Sequence, residues 1–164
     1  ISVGYEEKGE IVCGLVFDPI KNETFFAEKG SGAFFNNSRI RVSKKNNLKN
    51  SILTTGGPKF NSPKKNDIFQ EYIKISNLVN APVRKFGSAA LGMSYVAAGR
   101  FDAYWEWELN YWDIAAGIVI LKEAGGFVEF MEPETINSIK RNVLATNSSI
   151  QEELKAALIK KNIE

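Results

Sequence analysis

Apolar and polar residues alternate with a period of two along the first third of the chain, the spacing of half-buried strands. Residues 1–5 (ISVGY) and 11–17 (IVCGLVF) form two such runs, and Glu6-Glu7-Lys8-Gly9 between them has the composition of a hairpin turn. Asp18-Pro19 and Lys21-Asn22 predict another turn before a strand at 24–28, and Asn36-Asn37 a turn between strands at 33–35 and 39–42. The expected result is an antiparallel meander.

After residue 50 the period changes. Residues 51–55 predict a short buried strand broken by Gly56-Gly57-Pro58, and 59–66 read as a mobile loop. Ile68, Tyr72, Ile75 and Val79 recur at helical spacing with Asp67 as the expected N-cap, and Asn80-Ala81-Pro82 ends that helix before a short strand at 83–86. Small residues at 88–98 predict a closely packed helix stopped by Gly99. A strand at 101–106, a helix at 113–124 closed by Gly125-Gly126, strands at 127–130 and 143–145, and a helix at 150–161 complete the pattern. A meander followed by alternating strands and helices predicts a layered α/β sandwich with two sheets, with ligands gathering at strand ends and helix starts. Residues 1–50 are expected to end a first antiparallel sheet region and 51–164 to form a C-terminal α/β layer, together one compact unit.

Composition narrows the classes. The chain has 164 residues, 44% of them apolar, enough for one buried core. Its net charge of +2 is close to balance and its lysines concentrate in polar loops, so no dedicated nucleic-acid surface is expected. One cysteine, Cys13, allows no intrachain disulfide; it is expected to be a buried small hydrophobe in a reducing, cytoplasmic setting. No apolar run approaches the roughly 20 residues that span a bilayer and no leader pattern precedes the first strand, so a soluble protein is expected. The chain starts at Ile1, inside a strand-like segment, and further sequence upstream is expected.

The absence of histidine excludes histidine-dependent triads, and His or Cys zinc sites are equally unavailable. Carboxylates, hydroxyls, backbone amides or a hard metal ion must carry any chemistry. Asp113, where a helix is expected to begin, reads either as an acid facing the positive end of the helix dipole or as an oxygen ligand to Mg²⁺. Glu106, at a strand end, reads either as a solvated acid or as an acceptor for sugar or polyol hydroxyls, with Glu108 a close competitor. Gly87-Ser88-Ala89 opens a helix after the basic pair Arg84-Lys85, so its amides could face an anion or a hydroxyl; tight helix packing also accounts for its small residues. Asp18 reads as a turn acid, and Asp102 as a turn-closing or arginine-pairing one.

In order and spacing, Gly87-Ser88-Ala89-Ala90-Leu91, Tyr95-Val96-Ala97-Ala98-Gly99-Arg100-Phe101-Asp102, Trp105-Glu106, Trp112-Asp113-Ile114-Ala115-Ala116-Gly117 and Glu123-Ala124-Gly125-Gly126 closely resemble the inositol monophosphatase family. Gly14-Leu15-Val16-Phe17-Asp18-Pro19 and the segment Ala27-Glu28-Lys29-Gly30-Ser31-Gly32-Ala33-Phe34 extend the likeness over essentially the whole chain, most of all to the bacterial branch of extragenic suppressor and inositol-1-monophosphatase proteins. The resemblance implies an αβαβα sandwich and a Mg²⁺-dependent phosphomonoesterase, usually a homodimer, acting on inositol monophosphate or a similar small phosphorylated polyol. It implies that Asp113 binds a catalytic metal and contacts the substrate, that Glu106 holds inositol hydroxyls, and that Gly87, Ser88 and Ala89 line the substrate pocket. The family also carries, upstream of the matching region, a glutamate motif and an Asp-Pro-x-Asp-Gly-Thr motif that supply most metal ligands. Asp18-Pro19-Ile20-Lys21 lacks the second aspartate and the Gly-Thr. The chain is therefore expected to be the C-terminal part of such a phosphatase and to have little activity alone. A non-catalytic protein-interaction module, or a phosphatase for sugar bisphosphates or nucleotide phosphates, is the alternative.

Overall fold

The computed structural model describes residues 1–57, 62–131 and 140–159. The first third folds into a five-stranded antiparallel sheet, β1 (Ser2–Glu7), β2 (Glu10–Asp18), β3 (Glu23–Glu28), β4 (Gly32–Phe35) and β5 (Ser38–Ile40), in sequence order. Two of its hairpins turn on residue pairs with positive φ, Lys8-Gly9 (53° and 80°) and Asn36-Asn37 (42° and 67°), the conformation that matches the twist of the strands they join.

A second sheet contains β6 (Leu53–Thr55), β7 (Ala103–Asn110), β8 (Phe127–Phe130) and β9 (Lys140–Thr146) in the order β6-β7-β9-β8. Strands β6 and β7 are parallel; the other pairs are antiparallel. Helices α2 (Ala89–Ala97) and α3 (Tyr111–Glu123) fill the space between the sheets. There Val16, Phe25 and Ala33 of the first sheet meet Met93, Val96, Ile114 and Ile120 of the helices and Tyr104, Leu109 and Val143 of the second sheet. On the far side, α1 (Lys65–Leu78) and α4 (Gln151–Ile159) bring Ile75, Leu154 and Leu158 onto Leu53, Ala103, Trp105 and Leu144. The described residues thus stack as sheet, helices, sheet, helices.

Backbone approaches backbone where the first sheet meets α3: a Cβ on Gly14 would lie 2.6 Å from Val119 Cγ1 and 2.7 Å from the Ala116 carbonyl oxygen. Because side chains alternate along a strand, Cys13, Leu15, Val3, Phe26 and Phe34 occupy the opposite face, where Val3, Leu15, Phe26 and Phe34 stand directly across from one another on successive strands. Cys13 is consequently half-buried, not the buried residue its apolar run predicts.

Several boundaries differ from the sequence expectations for identifiable reasons. Helix α1 begins at Lys65, two residues before Asp67, which lies in its first turn instead of capping it. Pro58 of the expected strand break, residues 59–61 of the expected loop and 160–161 of the expected last helix lie outside the described residues. The strand expected at 83–86 reduces to a single bridge between Arg84 and Thr54. Strand β7 runs on to Asn110 because one extra residue is absorbed between Glu106 and Leu109, with Glu108 at φ 57°. Asp102 is buried and pairs with Lys45 at 3.2 Å, not with Arg100; it also accepts the Ile52 N–H at 2.7 Å and the Ser43 hydroxyl. Arg100 instead pairs with Glu23 at 2.7 Å. Among the described residues no helix is long and apolar enough to cross a membrane.

Strand β7 is also tied to α1 by a carboxylate. Glu71 Oε1 accepts the indole N–H of Trp105 at 2.9 Å and of Trp107 at 2.8 Å. Burial outweighs these two donors and pushes the Glu71 carboxyl up to about 7. A carboxyl whose folded value lies above its unfolded one binds more protons when folded, so its contribution to stability falls as pH rises from 4.5 to about 7. Glu71→Gln keeps an oxygen for both indoles and removes the titration. We expect urea midpoints of the wild type to fall across that window more than those of the variant, and the variant to be more stable at pH 8 by about 1–2 kcal/mol, a value reduced for partial exposure. Identical pH profiles would remove Glu71 from this role.

Candidate active site

One end of the second sheet gathers chemistry from four chain segments. Strand β6 ends in Thr55, whose hydroxyl donates to the Trp105 carbonyl at 2.6 Å and accepts the Gly57 N–H at 3.2 Å, fixing the Gly56-Gly57 turn beside β7. Even a methyl group on Gly56 would lie 2.0 Å from the Glu106 Cδ and Oε2 atoms, so the carboxylate rests directly on bare backbone. No side chain other than glycine leaves room for it.

Glu106 shares a strand face with Tyr104, two residues back, and both turn toward the helices between the sheets. The Tyr104 hydroxyl donates to Glu106 Oε2. The Tyr104 ring packs against α2 where Gly92 leaves space, a Cβ there lying 2.6 Å from Tyr104 Cδ2. Burial first, then the Glu106 charge, and then that of Asp113 push the phenol well above its usual value and hold it as a protonated donor. Glu106 is only 9% exposed, so its orientation is set by the protein.

Asp113 enters from α3. That helix starts at Tyr111 with Asn110 as its cap, which makes Asp113 the third helical residue. Asp113 Oδ2 accepts the Asn110 N–H at 3.1 Å and the Asn110 side-chain amide at 3.3 Å, a capping box that steadies the turn between β7 and α3. The bulge in β7 sets this spacing: it returns Leu109 to the core between the sheets and delivers α3 to the same end of the sheet as Glu106.

The third segment expected in a site begins α2. Ser88 is its N-cap, with its hydroxyl accepting the Leu91 N–H at 3.3 Å, so the first amides of the helix point outward as intrahelical bonding requires. Gly87 precedes it at φ 72°, in open space on the exposed side of the turn. Sequence reasoning singled out Glu106, Asp113 and Gly87-Ser88-Ala89. It missed Tyr104, which the period of two from Glu106 could have revealed, and Gly56, which read only as a strand breaker.

The donor set for a hard cation is small. Among the described residues no three Asp, Glu, His or Cys side chains converge on one point. Mg²⁺ prefers octahedral oxygen coordination, so these residues do not complete a Mg²⁺ centre.

A buried carboxylate on β7 and a second in the first turn of α3, within a layered α/β sandwich, frame the candidate site. The chain matches the model of the inositol monophosphatase family over residues 1–164, and it belongs to that family of phosphatases. It is 41% identical over 154 residues to the fructose-1,6-bisphosphatase/inositol-1-monophosphatase of Thermotoga maritima, covering 94% of this chain and 57% of that protein. The Nus factor SuhB of Pasteurella multocida is 44% identical over 130 residues, covering 78% of this chain and 48% of the relative. The crystal structure of the extragenic suppressor protein SuhB from Bartonella henselae superposes with a TM-score of 0.89 at 43% identity, covering 97% of this chain and 61% of that one. The fold is accordingly of the sugar-phosphatase type, with the described residues forming a sheet–helices–sheet–helices part of its αβαβα sandwich, and the chain spans about three fifths of the length of several of these relatives.

Gly56→Ala tests the floor under Glu106. The new methyl must displace the carboxylate and break the Tyr104 hydrogen bond, at a cost of about 1–3 kcal/mol. Gly87→Ala meets open space and carries only the strain of its positive φ, about 1 kcal/mol. We expect the hydroxyl environment of Tyr104, followed by ultraviolet difference spectra, to change in the Gly56 variant alone; a spectrum unchanged by Gly56→Ala would contradict the contact.

Proposed function

We propose that the whole protein is a Mg²⁺-dependent phosphomonoesterase that hydrolyses inositol monophosphate or a similar small phosphorylated polyol. The observation that carries this reading is the Glu106 carboxylate, held on bare backbone by Tyr104 and set in one neighbourhood with Asp113. In this reading Glu106 accepts polyol hydroxyls, which a buried and oriented carboxylate does better than a solvated one. Gly87, Ser88 and Ala89 line the pocket, and the first amides of α2 face the anionic part of the substrate. Asp113 is a metal ligand and a substrate contact at once, with Oδ2 retained as the helix cap. Mg²⁺ lowers the charge of the phosphate it binds and activates water; its remaining ligands are assigned to parts of the whole protein beyond the described residues. The whole protein is proposed to be a cytoplasmic homodimer, and the 164-residue chain by itself to hydrolyse little or no substrate.

Relatives named Nus factor SuhB favour a second reading, in which the fold serves as a non-catalytic protein-interaction module. The double name of the Thermotoga maritima relative supports a sugar bisphosphate as a further substrate.

The substitutions Asp113→Asn and Glu106→Gln in the whole protein separate these readings. Asparagine at this position still accepts the Asn110 N–H, so folding is expected to persist while Mg²⁺-dependent turnover falls on the order of 100-fold, the scale of losing one fixed charge contact. Glu106→Gln is expected to raise KM for inositol monophosphate about tenfold with a smaller change in kcat. Normal turnover in the Asp113 variant would contradict its assignment as a metal ligand.

A further inference from the structure

We propose that Lys85 is a specificity residue that reads a second anionic group on the polyol, so that esters bearing an additional phosphate or carboxylate are preferred; this rests on the pocket assigned above. Residues 83–86 run alongside β6, locked by the Arg84 N–H donating to the Leu53 carbonyl and the Thr55 N–H donating to the Arg84 carbonyl, each at 2.9 Å. Lys85 is thereby fixed beside the end of β6. Its side chain turns over the glycine pair: a Cβ on Gly57 would lie 2.5 Å from Lys85 Nζ and 2.6 Å from Cε.

Gly56 and Gly57 are adjacent, and the first carries the Glu106 carboxylate while the second carries the Lys85 ammonium. Adding the two contacts to the span of neighbouring Cβ positions puts the opposite charges within about 11 Å of each other. The Gly56-Gly57 backbone forms the floor between them. Lys21, Lys29, Lys45 and Lys155 are each held by a carboxylate, Asp18, Glu10, Asp102 and Glu129 respectively. Lys85 forms no such pair with a described carboxylate and is exposed, so its charge is available to a ligand.

The order of contacts gives the charge a direction. Asp113 neighbours Tyr104, Tyr104 holds Glu106, Glu106 rests on Gly56, and Lys85 covers Gly57. A polyol whose reacting phosphate lies on the Asp113 side and whose hydroxyls meet Glu106 presents its far substituent to Lys85. An ammonium on a flexible stem is a compact point charge that binds phosphate or carboxylate without demanding one orientation. An uncharged far substituent leaves it unused.

The test compares kcat/KM of the whole protein with Mg²⁺ for a sugar bisphosphate and for the monophosphate of the same sugar. In Lys85→Met the bisphosphate-to-monophosphate ratio is expected to fall about tenfold, the loss of one partly exposed charge contact, and in Lys85→Arg to be largely retained. An unchanged ratio, or an equal fall for both esters that makes the ammonium a reader of the reacting phosphate, overturns the assignment of Lys85 alone. Hydrolysis of neither ester by the wild type overturns the pocket reading and this assignment with it.

Discussion

The register of strand β7 holds the two cores of this fold in place. The strand's side chains alternate between two cores, with Ala103 and Trp105 facing α1 and α4 and Tyr104 facing α2 and α3. A shift of one residue in its pairing with β6 or β9 would exchange these faces, placing Glu106 against α1 and Trp105 in the space now occupied by Tyr104. Parallel pairing with β6 on one side and antiparallel pairing with β9 on the other fixes that register. The candidate site exists because the register is unique.

Three carboxylates are bound to this strand, and their surroundings separate them. Asp102 sits at its start with two hydrogen-bond donors and an ammonium, so its charge is compensated and it serves to tie the preceding loop to β6. Glu71 accepts two indole N–H groups and feels the Lys74 ammonium, yet burial outweighs them and raises it toward neutrality. Glu106 has the phenol of Tyr104 and a glycine floor, an arrangement that orients its carboxylate. The surroundings of each acid thus decide whether it fastens the fold, as at Asp102, responds to pH, as at Glu71, or is held in one orientation, as at Glu106.

Much of this was legible in the sequence, because its signals are local. Period-two alternation identified the meander, small residues identified the helices buried between the sheets, and the motif spacings pointed to Glu106, Asp113 and the start of α2. The unread parts depend on contacts between distant segments. Gly56 and Glu106 are 50 residues apart, and nothing in a Gly-Gly pair announces that a carboxylate will rest on it. The bulge at Trp107-Glu108 was hidden because glutamate at positive φ has no sequence signature, so the strand was expected to stop at Glu106. Cys13 was misplaced because an apolar run does not say which face of a sheet is covered.

In the proposed function β7 presents a fixed carboxylate at Glu106, in one neighbourhood with Asp113, to the hydroxyls of a phosphorylated polyol. This is tested most directly by a crystal structure of the whole protein with inositol 1-phosphate and Ca²⁺ in place of Mg²⁺. A ligand hydroxyl is expected within hydrogen-bond distance of the Glu106 carboxylate, with the Tyr104 hydrogen bond intact and Asp113 coordinating a cation. A ligand bound elsewhere, with Glu106 turned away from it, would remove Glu106 from substrate recognition.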